Sequence, residues 1–148
     1  MKSKLILTCA MVTISLCLLT CSPATKQVSV GASRDDFMKL HPECTISKQV
    51  EVAVGDPLTV TLESNWTTGF KWELTELTDQ TVLELVESKY ELSKEARQDP
   101  PVPGAGGKEI WEFKALKEGK STISMEYSQP WEGGTKAAWT FVLTVVVK

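Results

Sequence analysis

Ser64-Asn65-Trp66-Thr67-Thr68-Gly69-Phe70-Lys71-Trp72 joins two runs in which every second residue is apolar: Leu58, Val60 and Leu62 before it, Phe70, Trp72 and Leu74 after it. A period of two is that of a half-buried strand, whose side chains point alternately to its two faces. The stretch is therefore a loop between two strands, together with the start of the second. Asn65 and Gly69 suit the special backbone angles of a tight bend, and glycine reaches positive φ without steric cost. Trp66 is unusual there, because a solvated turn gains nothing from an indole.

The same alternation extends outward. Val50, Val52 and Val54 form a strand that ends at the turn Gly55-Asp56-Pro57. Thr78-Asp79-Gln80 turns the chain into a run from Val82 to Leu92, a strand bent or broken in its middle. After a long segment from Ser93 to Lys108 come Trp111, Phe113 and Ala115, then the turn Lys117-Glu118-Gly119-Lys120, then Ile123, Met125 and Tyr127. A loop from Gln129 to Thr135 precedes the last strand, with Trp139, Phe141, Leu143, Val145 and Val147. About seven short strands with no long helical period predict an all-β, immunoglobulin-like β-sandwich. The Cys and Trp signature of antibody domains is absent, so strand count and spacing carry this assignment, and a β-barrel of similar length is the alternative.

The first 20 residues read as a signal peptide: Met1-Lys2-Ser3-Lys4 is basic, and the apolar run Leu5 to Leu19 is too short and too early for a globular helix. Leu18-Leu19-Thr20-Cys21 resembles the lipobox of bacterial lipoproteins. That resemblance implies a lipid on Cys21, export, and a domain anchored to a membrane in the periplasm or at the cell surface. Thr20 departs from the usual Gly, Ala or Ser, and a cut near Ser22-Pro23-Ala24 is the alternative. Residues 21–44, rich in Ser, Thr, Ala, Gly, Lys and Asp, read as a tether, with a helical turn expected over Asp35 to Leu40. The folded domain is expected over 45–148.

Composition excludes several function classes. The chain has a net charge of −3; without Lys2 and Lys4 there are 14 basic residues against 19 acidic ones, a net charge of −5. A nucleic-acid partner would require a basic face. Cys9 and Cys17 leave with the signal peptide and Cys21 takes the lipid, so Cys44, expected to be half-buried, has no disulfide partner. The fold must then rest on its apolar core. The single histidine, His41, falls in the tether, which leaves no Ser/His or Cys/His pair for nucleophilic catalysis. No His/Cys cluster has metal-ligand spacing, and the glutamates alternate along strands as solvated edges. No enzyme activity, cofactor or metal is expected.

Strand parity collects the unusual sequence at one end. If successive strands reverse direction, the three tight turns share one pole. The Asn65–Gly69 loop, the Ser93–Lys108 loop and the Gln129–Thr135 loop then share the other. Loops on a rigid scaffold are the usual seat of binding. The second loop carries Asp99-Pro100-Pro101-Val102-Pro103 and then Gly104-Ala105-Gly106-Gly107, a stiff approach followed by bare backbone able to lie against a partner. Taken alone it is equally a flexible surface loop. The third carries Gln129-Pro130-Trp131, an indole placed as an interface anchor or, alternatively, folded back as a cap. A narrow hydroxylic tip, a glycine ribbon and an indole together suit a wedge that enters an enzyme's cleft.

Asn65-Trp66-Thr67-Thr68-Gly69, then Gly104-Ala105-Gly106-Gly107 with Trp111 and Phe113 behind it, then Pro130-Trp131, resemble the three loop motifs of the chagasin family, inhibitors of papain-like cysteine proteases. The resemblance runs from Thr45 to Lys148 in motif order and spacing. It implies a monomeric, reversible inhibitor whose Asn65–Phe70 segment occupies the catalytic cleft. Gly104 to Gly107 would run along one wall, and Gln129, Pro130 and Trp131 would pack on the other. Two positions depart from the pattern. Trp66 replaces the usual Pro, which predicts a less rigid tip, and Gln129 replaces the usual Arg, which removes a charged contact.

The rival reading is a surface-anchored immunoglobulin-like adhesion or assembly module without inhibitory activity, contacting partners through sheet faces or edges. Asn65-Trp66-Thr67 also matches an N-glycosylation acceptor, but a glycan there would obstruct the wedge.

Overall fold

The computed structural model describes residues 25–40 and 44–148. The expected signal peptide, Cys21 and His41 lie outside the described residues.

Among the described residues, eight strands form two four-stranded sheets. In chain order they are β1 (Val28–Ala32), β2 (Thr45–Val52), β3 (Pro57–Ser64), β4 (Lys71–Leu77), β5 (Leu83–Leu92), β6 (Gly107–Ala115), β7 (Gly119–Ser128) and β8 (Trp139–Val147), with one short helix, α1 (Arg34–Lys39), between β1 and β2. One sheet has the order β1-β3-β6-β5 and the other β2-β8-β7-β4. This is the expected β-sandwich. The inward set of each alternating run forms one core: Leu58, Val60 and Leu62 of β3 face Ile123 and Met125 of β7 and Phe141, Leu143 and Val145 of β8, all buried. The expected break in the Val82–Leu92 run is a bulge, where the β5–β6 register shifts between Leu85 and Glu87.

The segment read as a tether is part of the domain. Val28 to Ala32 pair in parallel with Leu58 to Leu62 of β3, adding an eighth strand. The expected helical turn is α1, and it is docked. Ser33 caps it, accepting from the Asp36 amide while the Asp36 carboxylate accepts from the Ser33 backbone N–H, a capping box. Phe37 is 1 % exposed, tilted against Trp72 at 5.4 Å and stacked on Trp139 at 5.3 Å. Two short apolar elements among polar residues do not show as alternation, so the sequence reading placed the domain boundary too late. Val54, read as the end of a strand, is exposed in the turn beyond β2.

The strand-parity argument holds. The turns around Gly55, Asp79 and Lys117-Glu118 cluster at one pole: Gly55 N–H donates to Ala115 O, Leu116 N–H to Val82 O, and Asp79 N–H to Ser121 Oγ. The three long loops meet at the other.

Candidate functional site

The central loop is built by a short 3-10 turn, Trp66–Thr68, between two sheets. Asn65 starts it with φ −132°, not in the left-handed region; its side chain does the work instead. Asn65 Oδ1 accepts from Thr67 N–H at 3.2 Å and from Thr67 Oγ1 at 2.6 Å, while the Asn65 carbonyl accepts from Thr68 Oγ1 at 2.6 Å. Both threonine hydroxyls are thus satisfied within the loop, yet both residues are exposed at its tip. Gly69 closes the turn at φ +78°, as the sequence required. Phe70 enters β4's stem half-buried and stacks on Tyr127 at 5.2 Å.

Each flanking loop braces this tip. Asn65 Nδ2 donates to Gly104 O at 2.9 Å, which ties the glycine segment to one side. Gln129 Nε2 donates to Thr68 O at 3.3 Å on the other. The six-membered ring of Trp131 lies across Gly69: a Cβ there would stand 2.2 Å from Trp131 Cη2. Trp131 remains 49 % exposed, so it both covers Gly69 and presents an indole face. Its loop is closed by Gln129 N–H to Thr135 O and Gly134 N–H to Trp131 O. Lys136 Nζ donates to Gln129 O at 2.6 Å, and Pro130 is exposed beside it. Gln129, in place of an arginine, therefore works inside the pole as a strut between two loops.

The glycine segment differs from the ribbon expected of it. A Cβ on Gly106 would meet Ser64 O at 2.7 Å, and one on Gly107 would meet Glu91 O at 2.2 Å. Those two glycines are needed for close packing inside the protein. Gly104, exposed at φ +76° with open space around it, is the part turned outward, and Ala105 is half-buried beside it. Between this segment and the central tip lies a groove of about 680 Å³, floored by Phe70, Tyr127 and Trp139.

Trp66 does not stand at the tip. Its ring stacks on Tyr90 of β5 at 4.2 Å and 12°, and its Nε1 donates to Glu109 Oε1 at 2.9 Å. It is 49 % exposed on the flank of the loop. The less rigid tip expected from the missing proline is thus countered by an indole fixed at two points. Burial pushes the Tyr90 hydroxyl above its ordinary value.

Glu109 is the residue that sequence reasoning missed. Glutamates were read as solvated edges, but Glu109 is 5 % exposed. The signal was available: in Glu109-Ile110-Trp111-Glu112-Phe113 the period of two places Glu109 on the inward face with Trp111 and Phe113. Tyr127, buried on the inward face of β7, also holds the loop: the Asn65 N–H donates to Tyr127 Oη at 2.8 Å.

Residues 51–145 match the family model described as "Chagasin family peptidase inhibitor I42". Chagasin of Trypanosoma cruzi is 33% identical over 98 residues, covering 64% of this chain and 81% of that protein. Amoebiasin-2 of Entamoeba histolytica is 25% identical over 134 residues, covering 88% of this chain and 94% of that one. Two solved structures share the fold. The cysteine protease inhibitor EhICP2 from Entamoeba histolytica has a TM-score of 0.61 at 20% identity, covering 82% of this chain and 97% of that one. PbICP-C, solved in complex with falcipain-2, has a TM-score of 0.52 at 22% identity, covering 83% and 99%. With the family model spanning well over half of its residues and three braced loops at one pole of the sandwich, this chain belongs to the chagasin family of peptidase inhibitors, and is not an enzyme.

Proposed function

We propose that the protein acts as a monomeric, reversible inhibitor of papain-like cysteine proteases, plugging the active-site cleft with Thr67-Thr68-Gly69 while Gly104-Ala105 and Trp131 grip the two walls. One observation carries this: an exposed, narrow tip whose own polar groups are satisfied is braced on both sides by the flanking loops. A preformed tip loses little conformational entropy on docking, so an interface of ordinary size can be tight. Satisfied threonine hydroxyls also leave a smooth, small-residue edge suited to a slot. The named relatives that inhibit cysteine proteases support the choice of target class.

The test is titration of papain or a cathepsin with the purified protein, following hydrolysis of a small peptide substrate. Tight inhibition that is competitive with substrate and leaves the inhibitor uncut is expected. Lack of inhibition of several such enzymes at micromolar protein would favour an adhesion or assembly module instead.

Lipidation of Cys21 and anchoring at a membrane facing the periplasm or the cell exterior complete the proposal. The direction of β1 supports a useful orientation. β1 starts beside Leu58, near the turn pole, and runs in parallel with β3 toward the loops. The seven residue steps from Cys21 to Val28 reach at most about 25 Å. A lipid there would hold the domain by its turn pole and leave the three loops facing away from the bilayer. Palmitate labelling that is lost in Cys21→Ser is the expected result; unlabelled protein would remove the anchor from the proposal.

A further inference from the structure

Glu109 is a buried carboxylate, and none of the ion pairs among the described residues includes it. Burying a charge without a cation is costly unless hydrogen bonds replace the lost water. Here they converge on a single atom. Glu109 Oε1 accepts from Ser64 Oγ at 2.7 Å, from Trp66 Nε1 at 2.9 Å and from the Trp72 backbone N–H at 2.9 Å. Ser64 ends β3, Trp66 begins the turn, and Trp72 lies in β4. One oxygen therefore fastens the entry, the shoulder and the exit of the central loop. Across the sheet Glu109 stands opposite Leu62 and Tyr90, and Tyr90 is the residue on which the Trp66 ring stacks. A leucine at this inward position would fill space and bury apolar area. It could not select one conformation of the loop above it.

We propose that Glu109 is a positioning residue for inhibition: acting through Trp66 and the two loop stems, it holds Thr67-Thr68-Gly69 in the docking conformation. The structure thereby assigns Trp66 a role that a proline would fill through its ring. A fixed φ is replaced by a clasp made of one carboxylate oxygen below the indole nitrogen and one phenol ring against its face. Hydrogen bonds to a charged acceptor are stronger and more directional than neutral ones, which suits a device that must define a single geometry.

This inference rests on the inhibitor reading, and the test separates the two. Inhibition constants against papain, melting temperatures, and the indole and loop-amide NMR resonances are measured for the parent and three variants. Trp66→Phe keeps the stacking surface and loses the donor; it is expected to weaken inhibition by about tenfold, the size of a hydrogen bond to a charged group. Its melting temperature should fall by only a few degrees, about the shift that loss of one such hydrogen bond gives in a domain of this size. Glu109→Ala leaves three donors unpaired and is expected to weaken inhibition by about a hundredfold or more. Glu109→Gln retains a carbonyl oxygen where Oε1 stands and should recover much of that loss. In the parent the Trp66 indole N–H resonance should be shifted downfield, and it should move in both Glu109 variants together with the amides of 65–69. Parent-like inhibition by folded Glu109→Ala and Trp66→Phe would overturn the proposal. So would a Glu109→Ala defect that follows the loss of stability while Trp66→Phe is neutral. If the parent itself inhibits no such protease, the inhibitor reading fails. The loop amides then decide the positioning claim: unchanged resonances at 65–69 in folded Glu109→Ala would sink it.

Discussion

The two poles of the sandwich are held together by different chemistry. At the turn pole the chain is stitched largely by its own backbone: Gly55 N–H to Ala115 O, Ala115 N–H to Asp56 O, Leu116 N–H to Val82 O and Thr78 N–H to Thr122 O, with the Ser121 and Thr78 hydroxyls accepting from Asp79 N–H and Thr122 N–H. Beneath it lie small and aliphatic residues, Val52, Val82, Leu83, Ala115 and Val147. At the loop pole the loops are joined to one another by the side chains of Asn65 and Gln129, and the central loop is tied to β6 by the Glu109 carboxylate, which accepts from Trp66 and Trp72. Beneath it lies an aromatic platform: Phe70 on Tyr127, Tyr127 on Trp139 at 4.8 Å, Trp139 on Phe37, and Trp72 against both Phe37 and Tyr127. Backbone bonds survive most substitutions, whereas a side-chain bond is lost with its side chain. The turn pole is thus tolerant, and the loop pole is written into particular residues, as a binding surface must be.

The contrast can be broken in several ways. The largest effect should come from the platform. Phe37→Ala removes a buried ring shared by Trp72 and Trp139 and should cost about 3–5 kcal/mol of stability, read by denaturant unfolding. A small cost would mean that α1 is an appendage. Next is Gly69→Val, which forces a β-branched residue to φ +78° and drives its Cβ into the Trp131 ring. Inhibition should fall by about a hundredfold or more, beyond any fall expected from its melting curve. Trp131→Ala should weaken inhibition by about ten- to a hundredfold, as for an interface anchor, with a change in melting of only a few degrees. Equal inhibition by this variant would remove the third loop from the contact.

The turn pole should show the opposite pattern. Gly119→Ala places a Cβ 2.7 Å from Val82 Cγ2 and should lower stability by about 1–3 kcal/mol while leaving the inhibition constant of the folded protein unchanged. The smallest effect concerns pH. Asp79 accepts from Thr81 Oγ1 and N–H, and these bonds hold its carboxyl below the ordinary 3.8. A carboxylate with a depressed value contributes stability above its unfolded value and loses that contribution as pH falls through its folded one. Asp79→Asn should therefore flatten the decline in stability below about pH 3.8 without changing inhibition near neutrality.

Much of the loop pole could be read from residues because its determinants are local. Gly69 must bend the chain, and strand parity alone brings the three loops to one end; that Asn65 acts through its side chain as a cap, and not through a special backbone angle, shows only in the structure. The roles of Gly106 and Gly107 were not legible. A glycine required by a neighbour's carbonyl looks the same in sequence as one presented to a partner. The first strand was missed for a related reason: Val28 to Ala32 earn their place only by pairing with β3, and five residues carry too little alternation to announce that.

What the sequence determined by itself was the period of two, hence strands with an inward and an outward set, and the order of the loops, because these follow from covalent geometry repeated along the chain; that the strands divide into two sheets was decided by the tertiary structure. Tertiary structure alone decided that Trp131 lies over Gly69, that Gln129 acts as a strut, and that Ser64, Trp66 and Trp72 share one oxygen of Glu109. Those contacts join residues distant in sequence, up to 62 positions apart for Trp131 and Gly69. Their distances depend on how two sheets pack, and no local pattern encodes that.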